Sequence, residues 1–199
     1  MRLKLSVNPV SGVCAAARVF TTPLERLKLS HAMSHLTDFY SLKAPDTQGR
    51  MLGDILKWSD DAWECHHDYI QWLFPLDQPS GFNPNAPLLT EADRAAFRAS
   101  AKLQLVLRRG SLARFLAFLG LFSEDDVVIR PGDNFNNRRA LWAYPNHNWL
   151  RITRVLKSLR LLGLEADARA FWRCLQKLHE ERGFKFEGSF SYWQAAAGE

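Results

Sequence analysis

HNWLRITRVLKSLRLLGL, residues 147–164, reads as a helix with two dry faces. At about 100° per residue, Trp149, Ile152, Val155, Leu156, Leu159 and Leu162 make a broad apolar arc, and Leu150 and Leu161 make a narrower one. Between the arcs runs a polar seam of His147, Arg151, Arg154 and Ser158. Their spacing of four, three and four stacks them along one line. Asn146 can cap this helix and Gly163 can end it, giving a helix over 147–162. Guanidinium groups set among apolar neighbours need acceptors or anions. Either the chain itself supplies them or a ligand does, and the function turns on which.

The neighbouring segments extend the helical pattern. Residues 165–181 are amphipathic through Ala168, Phe171, Trp172, Leu175 and Leu178, with Gly183 after them. Upstream, a helix over 134–144 stops at Pro145, and one over 112–119 ends at Gly120. Thr90, followed by Glu91 and Asp93, opens a helix over 90–109 with Ala95, Ala96, Ala99, Leu103, Val106 and Leu107 as its core stripe. Gly110–Ser111 either breaks that helix or kinks it. A helix over 59–74 begins beside Asp60 and Asp61, which suit its positive end, and stops at Pro75. A helical turn is expected at 51–58 and a short extended piece at 127–129. The proline-rich connection 75–89 is expected to be pinned to the core by Phe82, Leu88 and Leu89.

These elements predict an all-α fold, an irregular bundle of five to six helices in a single domain over 33–182. A tail, 183–199, holds at most an aromatic turn at 190–193. Residues 1–32 are basic, acid-poor and weakly periodic, and are expected to be poorly ordered. They read either as an organellar presequence or as an extension ahead of a start at Met33.

Hydrophobic content of 47%, with seven Trp and thirteen Phe, excludes global disorder. No apolar run approaches the length of a transmembrane helix. The net charge of +5 is unevenly placed: residues 1–32 carry five Lys or Arg against one Glu. Segment 33–133 has ten basic and fourteen acidic residues, and segment 134–182 has ten basic and four acidic. So modest a field argues against sequence-independent nucleic-acid binding but allows an anion site in the C-terminal half. Cys14, Cys65 and Cys174 form no CxxC pattern. Cys65 and Cys174 fall on apolar faces and are expected to be buried thiols of a soluble, cytoplasmic protein.

On the 59–74 helix, Glu64, His67, Asp68 and Gln71 share one arc. Ala62, Trp63, Cys65, Tyr69, Ile70 and Leu73 share the opposite one, and Trp72 lies at the boundary. His66 falls in the apolar arc, as a core histidine with a backbone partner would. The Glu64-x-x-His67 pair is superficially like half of a di-metal site, but no second copy exists, so neither metal nor cofactor is expected. Glu64 or Asp68 is expected to reach Arg151 or Arg154. Catalysis has little support. There is no GxSxG and no phosphate-cradling glycine loop. Ser158 and His147 lie about 16 Å apart along one helix.

Two motifs then stand together: His67–Leu76 (HDYIQWLFPL) with Asn83–Thr90 (NPNAPLLT), and Asn146–Leu159 (NHNWLRITRVLKSL) with Leu162-Gly163-Leu164. In this order they resemble the N-terminal domain of the opioid growth factor receptor family. Phe118-Leu119-Gly120, Asn134-Phe135 and Arg138 agree with it, and the resemblance covers about Thr37–Leu178. It implies an all-helical module. In animals the family is associated with binding Met-enkephalin, with nuclear or perinuclear residence and with restraint of growth. The chain looks like a short stand-alone, bacterial-type relative without the long polar tail or repeats.

The leading expectation is therefore a non-enzymatic binding module. Helices 59–74 and 147–162 would set His67, Gln71 and Trp72 opposite His147, Asn148, Arg151 and Arg154. The cleft would accept a short peptide or small acidic ligand, with the two arginines on the anion and Trp72 as an apolar wall. Glu64, Asp68, Tyr69, Arg138 and Ser158 would form the supporting network. One alternative is that all these residues form a purely structural buried network. Another is an unspecified enzyme or nucleic-acid binder.

Overall fold

Ser34 caps α1 (His35–Tyr40), its hydroxyl accepting from Thr37 N. The structure, a computed structural model, describes residues 34–125, 128–181 and 183–199. The expectations for residues 1–32, including Cys14, lie outside them. α2 (Leu52–Leu56) follows a turn. The expected helix over 59–74 is two helices. α3 (Asp60–Cys65) is capped by Ser59, the chain is extended at His66 (φ −90°, ψ 142°), and α4 (Ile70–Leu73) then ends before Pro75.

α5 (Glu91–Ala99) opens with the expected capping box. Asp93 N donates to Thr90 Oγ1 at 3.1 Å and Thr90 N donates to Asp93 Oδ2 at 2.9 Å. Ser100, extended at φ −112° and ψ 101°, ends α5 and caps α6 (Ala101–Val106). That break resets the helical phase. Ala95 and Ala99 are therefore exposed, and Asp93, Phe97, Leu103 and Leu107 are the buried positions. Gly110 and Ser111 sit within a π-helical segment, Leu107–Leu112, that leads into α7 (Ala113–Phe118).

A hairpin of β1 (Leu121–Glu124) and β2 (Val128–Pro131) follows, antiparallel, with Leu121 opposite Pro131 and Phe122 opposite Arg130. Its buried Leu121 and Ile129 hold it to the core. The fold is thus mostly helical and not strictly all-α. Strands of four residues are too short for alternation to show in the sequence. A 3₁₀ turn at Phe135–Arg138 and α8 (Ala140–Ala143) replace the single helix expected over 134–144.

α9 (His147–Leu161) and α10 (Glu165–Glu181) match expectation closely. The whole broad arc of α9 and the stripe of α10 are buried. Gly163 joins them at φ +89°, a left-handed position that suits glycine. The expected tail is instead α11 (Glu187–Ala197), which packs against α9 and α10. Trp193 is fully buried there, and its indole N–H donates to Trp149 O at 3.0 Å. The described residues belong to one compact unit.

Two further expectations are corrected. Phe82 is 90% exposed and Leu88 half-exposed, so of the three expected anchors only Leu89 is buried, and its N–H donates to Leu76 O at 2.9 Å. Cys65 is exposed because α3 ends on it, whereas Cys174 is buried.

Candidate functional site

A helix that stops in the interior leaves carbonyls without partners, and the break between α3 and α4 does so beside α9. Arg151, only 6% exposed, fills it. Its Nη1 donates to Trp63 O and to Asn148 Oδ1, both at 3.0 Å. Its Nη2 donates to His66 O at 2.7 Å and to His67 Nδ1 at 3.1 Å. The guanidinium also lies 5.7 Å from the centre of the buried Tyr69 ring, whose hydroxyl donates to Trp63 O at 2.9 Å. Gln71, with its amide turned to satisfy both neighbours, donates to Asp68 O at 2.8 Å and His67 O at 3.2 Å. The buried charge is answered by backbone carbonyls, an imidazole and an amide.

The carboxylates expected to answer it are engaged elsewhere. Asp68 accepts from both terminal nitrogens of Arg50 at 3.0 and 3.1 Å, and Arg50 Nε also donates to Asp46 at 2.7 Å. Glu64 accepts from Asn148 Nδ2 at 3.0 Å and faces His147 Nε2 at 3.2 Å. Arg138 pairs with Asp60 and places its guanidinium 5.9 Å from the Phe118 ring, so it ties the 3₁₀ turn to α3. Ser158 is buried, and its hydroxyl has no partner among the described residues. His66 is exposed, contrary to expectation, because the chain leaves the helix there. Its Nδ1 lies 2.9 Å from Ala62 O and its ring packs on Trp58.

A cavity of about 360 Å³ opens between α4, the connection after it and α9. Ile70, Leu76, Phe82 and Leu150 form its apolar walls. His67, Gln71, His147, Arg151, Arg154 and Lys157 supply the polar lining, with Ser80 and Thr153. No carboxylate is among these residues. Two expected ligand contacts are absent from it. Trp72 is 2% exposed and packs against Phe39 and His35 on the far side of α4. Asn148 is buried, with both ends of its amide bonded to Glu64 and Arg151.

Lys157, Leu76 and Phe82 were not expected in the site. The signal for Lys157 was its three-residue spacing from Arg154. The two apolar residues lie in a connection without period, where nothing in the sequence fixes direction.

Arg154 Nη1 donates to Phe74 O at 3.2 Å, and burial holds its guanidinium below its usual pKa. Lys157 is exposed. Burial and the charge of Arg151, with a smaller effect of His67, hold the His147 imidazole below its usual pKa against the opposing pull of Glu64. The rings of His67 and His147 meet edge to face, 5.1 Å apart. A second recess shares Leu76 and Lys157 with the first and continues past Arg98, Arg160 and Glu165. Among the described residues, no cluster of His, Cys, Asp or Glu could hold a metal, and no helix is long and apolar enough to cross a membrane.

Residues 29–178 match the opioid growth factor receptor (OGFr) conserved region. The human opioid growth factor receptor is 41% identical over 122 residues, covering 59% of this chain and 18% of the relative. The rat receptor is 43% identical over 123 residues, covering 59% and 21%. The mouse opioid growth factor receptor-like protein 1 is 39% identical over 136 residues, covering 64% and 28%. The chain thus spans less than a third of each of these proteins. No solved structure gives a significant match.

Proposed function

Since this chain belongs to the opioid growth factor receptor conserved-region family, we propose that it is a receptor-like, non-enzymatic binding module whose ligand enters the cavity beside α9. One observation carries the reading: every ionisable side chain lining the cavity is a cation or an imidazole, and the remaining walls are mostly apolar. Such a site suits an acidic or carboxylate-bearing ligand with an apolar part. Arg154 and Lys157, three residues apart on one helical face, hold the anion. Ile70, Leu76, Phe82 and Leu150 hold the apolar portion. Arg151 is committed to the α3–α4 break and acts as frame.

A short peptide is the first ligand to consider. The two recesses follow α9 from His147 to Leu161, about 21 Å at the helical rise, which is room for about six extended residues. Opioid growth factor, for which the relatives are named, heads the panel. We place the protein in a soluble, cytoplasmic setting. The test is calorimetry of acidic and opioid peptides against the wild type and an Arg154→Gln/Lys157→Gln variant. The expected result is at least one binder, weakened about ten-fold or more in the variant, with the melting temperature unchanged. A panel without a binder, or equal affinity in the variant, counts against the proposal.

A further inference from the structure

We infer that the cavity is a proton-coupled anion trap: an anion held by Arg154 and Lys157 draws a proton onto the His67–His147 pair, and acid in turn tightens the hold on the anion. The inference rests on the anion site proposed above and adds its regulation.

The geometry begins at Arg151. A guanidinium only donates, so the 3.1 Å contact from its Nη2 requires a bare Nδ1 on His67. The ring is then neutral and carries its hydrogen on Nε2. His147 presents Nε2 to Glu64 at 3.2 Å and sets its ring edge to face against His67. α9 brings three cations to this pair, namely Arg151 behind it and Arg154 and Lys157 in the same cavity. α3 brings one carboxylate, Glu64, which Asn148 shares. Asp68, in the connector, is turned away into its pair with Arg50. Burial and the Arg151 guanidinium oppose protonation of the His147 imidazole, and Glu64 favours it.

An incoming anion shifts the balance. Held in the cavity that both imidazoles line, its negative charge favours their protonated forms. By linkage, whatever the anion gives to proton affinity, the proton returns to anion affinity. His67 changes role as it charges. Its Nδ1 turns from acceptor to donor, the bond from Arg151 is lost, and the ring edge gains a second donor.

The test uses the full chain and two probes: N-acetyl-L-phenylalanine, an apolar carboxylate, and sulfate, an anion whose charge does not change over the range. Calorimetry is run near pH 5.5 and pH 7.5, on either side of the usual histidine value, in buffers of different ionisation enthalpy. Nitrogen-15 NMR reads the histidine tautomers without probe. The expected results are a bare Nδ1 on His67 near pH 7.5, proton uptake on binding, and affinity about five-fold tighter in acid. His147→Asn is expected to reduce the pH effect and His67→Asn/His147→Asn to abolish it. A protonated Nδ1 on His67 in neutral solution, binding without proton uptake, or a pH effect surviving in the double variant overturns the inference. So does failure of both probes to bind. Proton-coupled sulfate binding without any peptide ligand would leave the trap standing and remove the peptide reading. Binding of the acyl amino acid without proton uptake would do the reverse.

Discussion

Arg151 places two nitrogens on four acceptors, two of them carbonyls at the end of α3. Trp63 O keeps the Tyr69 hydroxyl as a donor, but removing the side chain takes the donor from His66 O and leaves Asn148 Oδ1 and His67 Nδ1 without it, which costs more than the bonds alone. Arg151→Ala is expected to lower the unfolding free energy by about 3–5 kcal/mol, read from urea midpoints. Arg151→Lys should recover less than half, because an ammonium cannot fork across separated acceptors. A loss under about 1 kcal/mol for the alanine variant would mean that the break stands without it.

Two neighbours set the acid response. His147 is held below its usual pKa in the fold, by burial first and then by Arg151. The unfolded chain therefore takes up its proton more readily. The contribution is complete above the unfolded value, near 6.5, and is lost as pH falls below it. For Asp68, burial pushes the carboxyl up, but the hydrogen bonds and charge of Arg50 outweigh it and hold it below its usual value. Its contribution is present above about 3.9 and is lost further into acid. Denaturation from pH 7.5 down to about 3 should show two separate declines. The upper one should disappear in His147→Asn and the lower one in Asp68→Asn. A single decline unaffected by either change would contradict the assignment.

At the scale of elements, the long helices were legible and the breaks were not. α9 and α10 carry 3.6-residue periods with caps at their ends, so their bounds and buried faces could be read directly. The segment 59–74 contains no glycine or proline, and its division at His66 is met by a tertiary partner, Arg151, that local propensity cannot register. The polar seam was legible as four residues on one line, and the cavity formed on it at His147, Arg151 and Arg154. Its opposite wall comes from Leu76, Ser80 and Phe82, in an aperiodic connection, and was not legible.

The turns between elements can be ranked. A Cβ on Gly120 would lie 2.7 Å from the backbone Cα of Phe135, which cannot move alone. On Gly163 it would meet Arg98 Cγ and Gln104 Nε2 at 2.9 Å, both on flexible side chains. Both glycines are left-handed, so each alanine variant costs about 1–2 kcal/mol before any clash. Gly120→Ala is expected to be the more destabilising of the two, and the opposite order of urea midpoints would refute this.

For the molecule as a whole, α9 separates holding the fold together from holding a ligand. Its broad arc faces the interior, where Trp149 meets Trp193 of α11 at 5.7 Å between ring centres, while Leu150, Arg154 and Lys157 face the cavity. α11 lies beyond the matched family region, which ends at residue 178. The sequence underrated it because EGSFSYWQAAA has no strong helical period. Trp193→Ala empties a fully buried indole site and breaks its bond to Trp149 O, so a loss of about 3–5 kcal/mol is expected. Its ligand affinity, measured well below the new melting temperature, should stay within about two-fold of wild type. Arg154→Gln/Lys157→Gln should show the converse, weaker binding at unchanged stability. If Trp193→Ala weakened binding as much as the cavity variant does, the two faces of α9 would be coupled, and α11 would have to be counted part of the site.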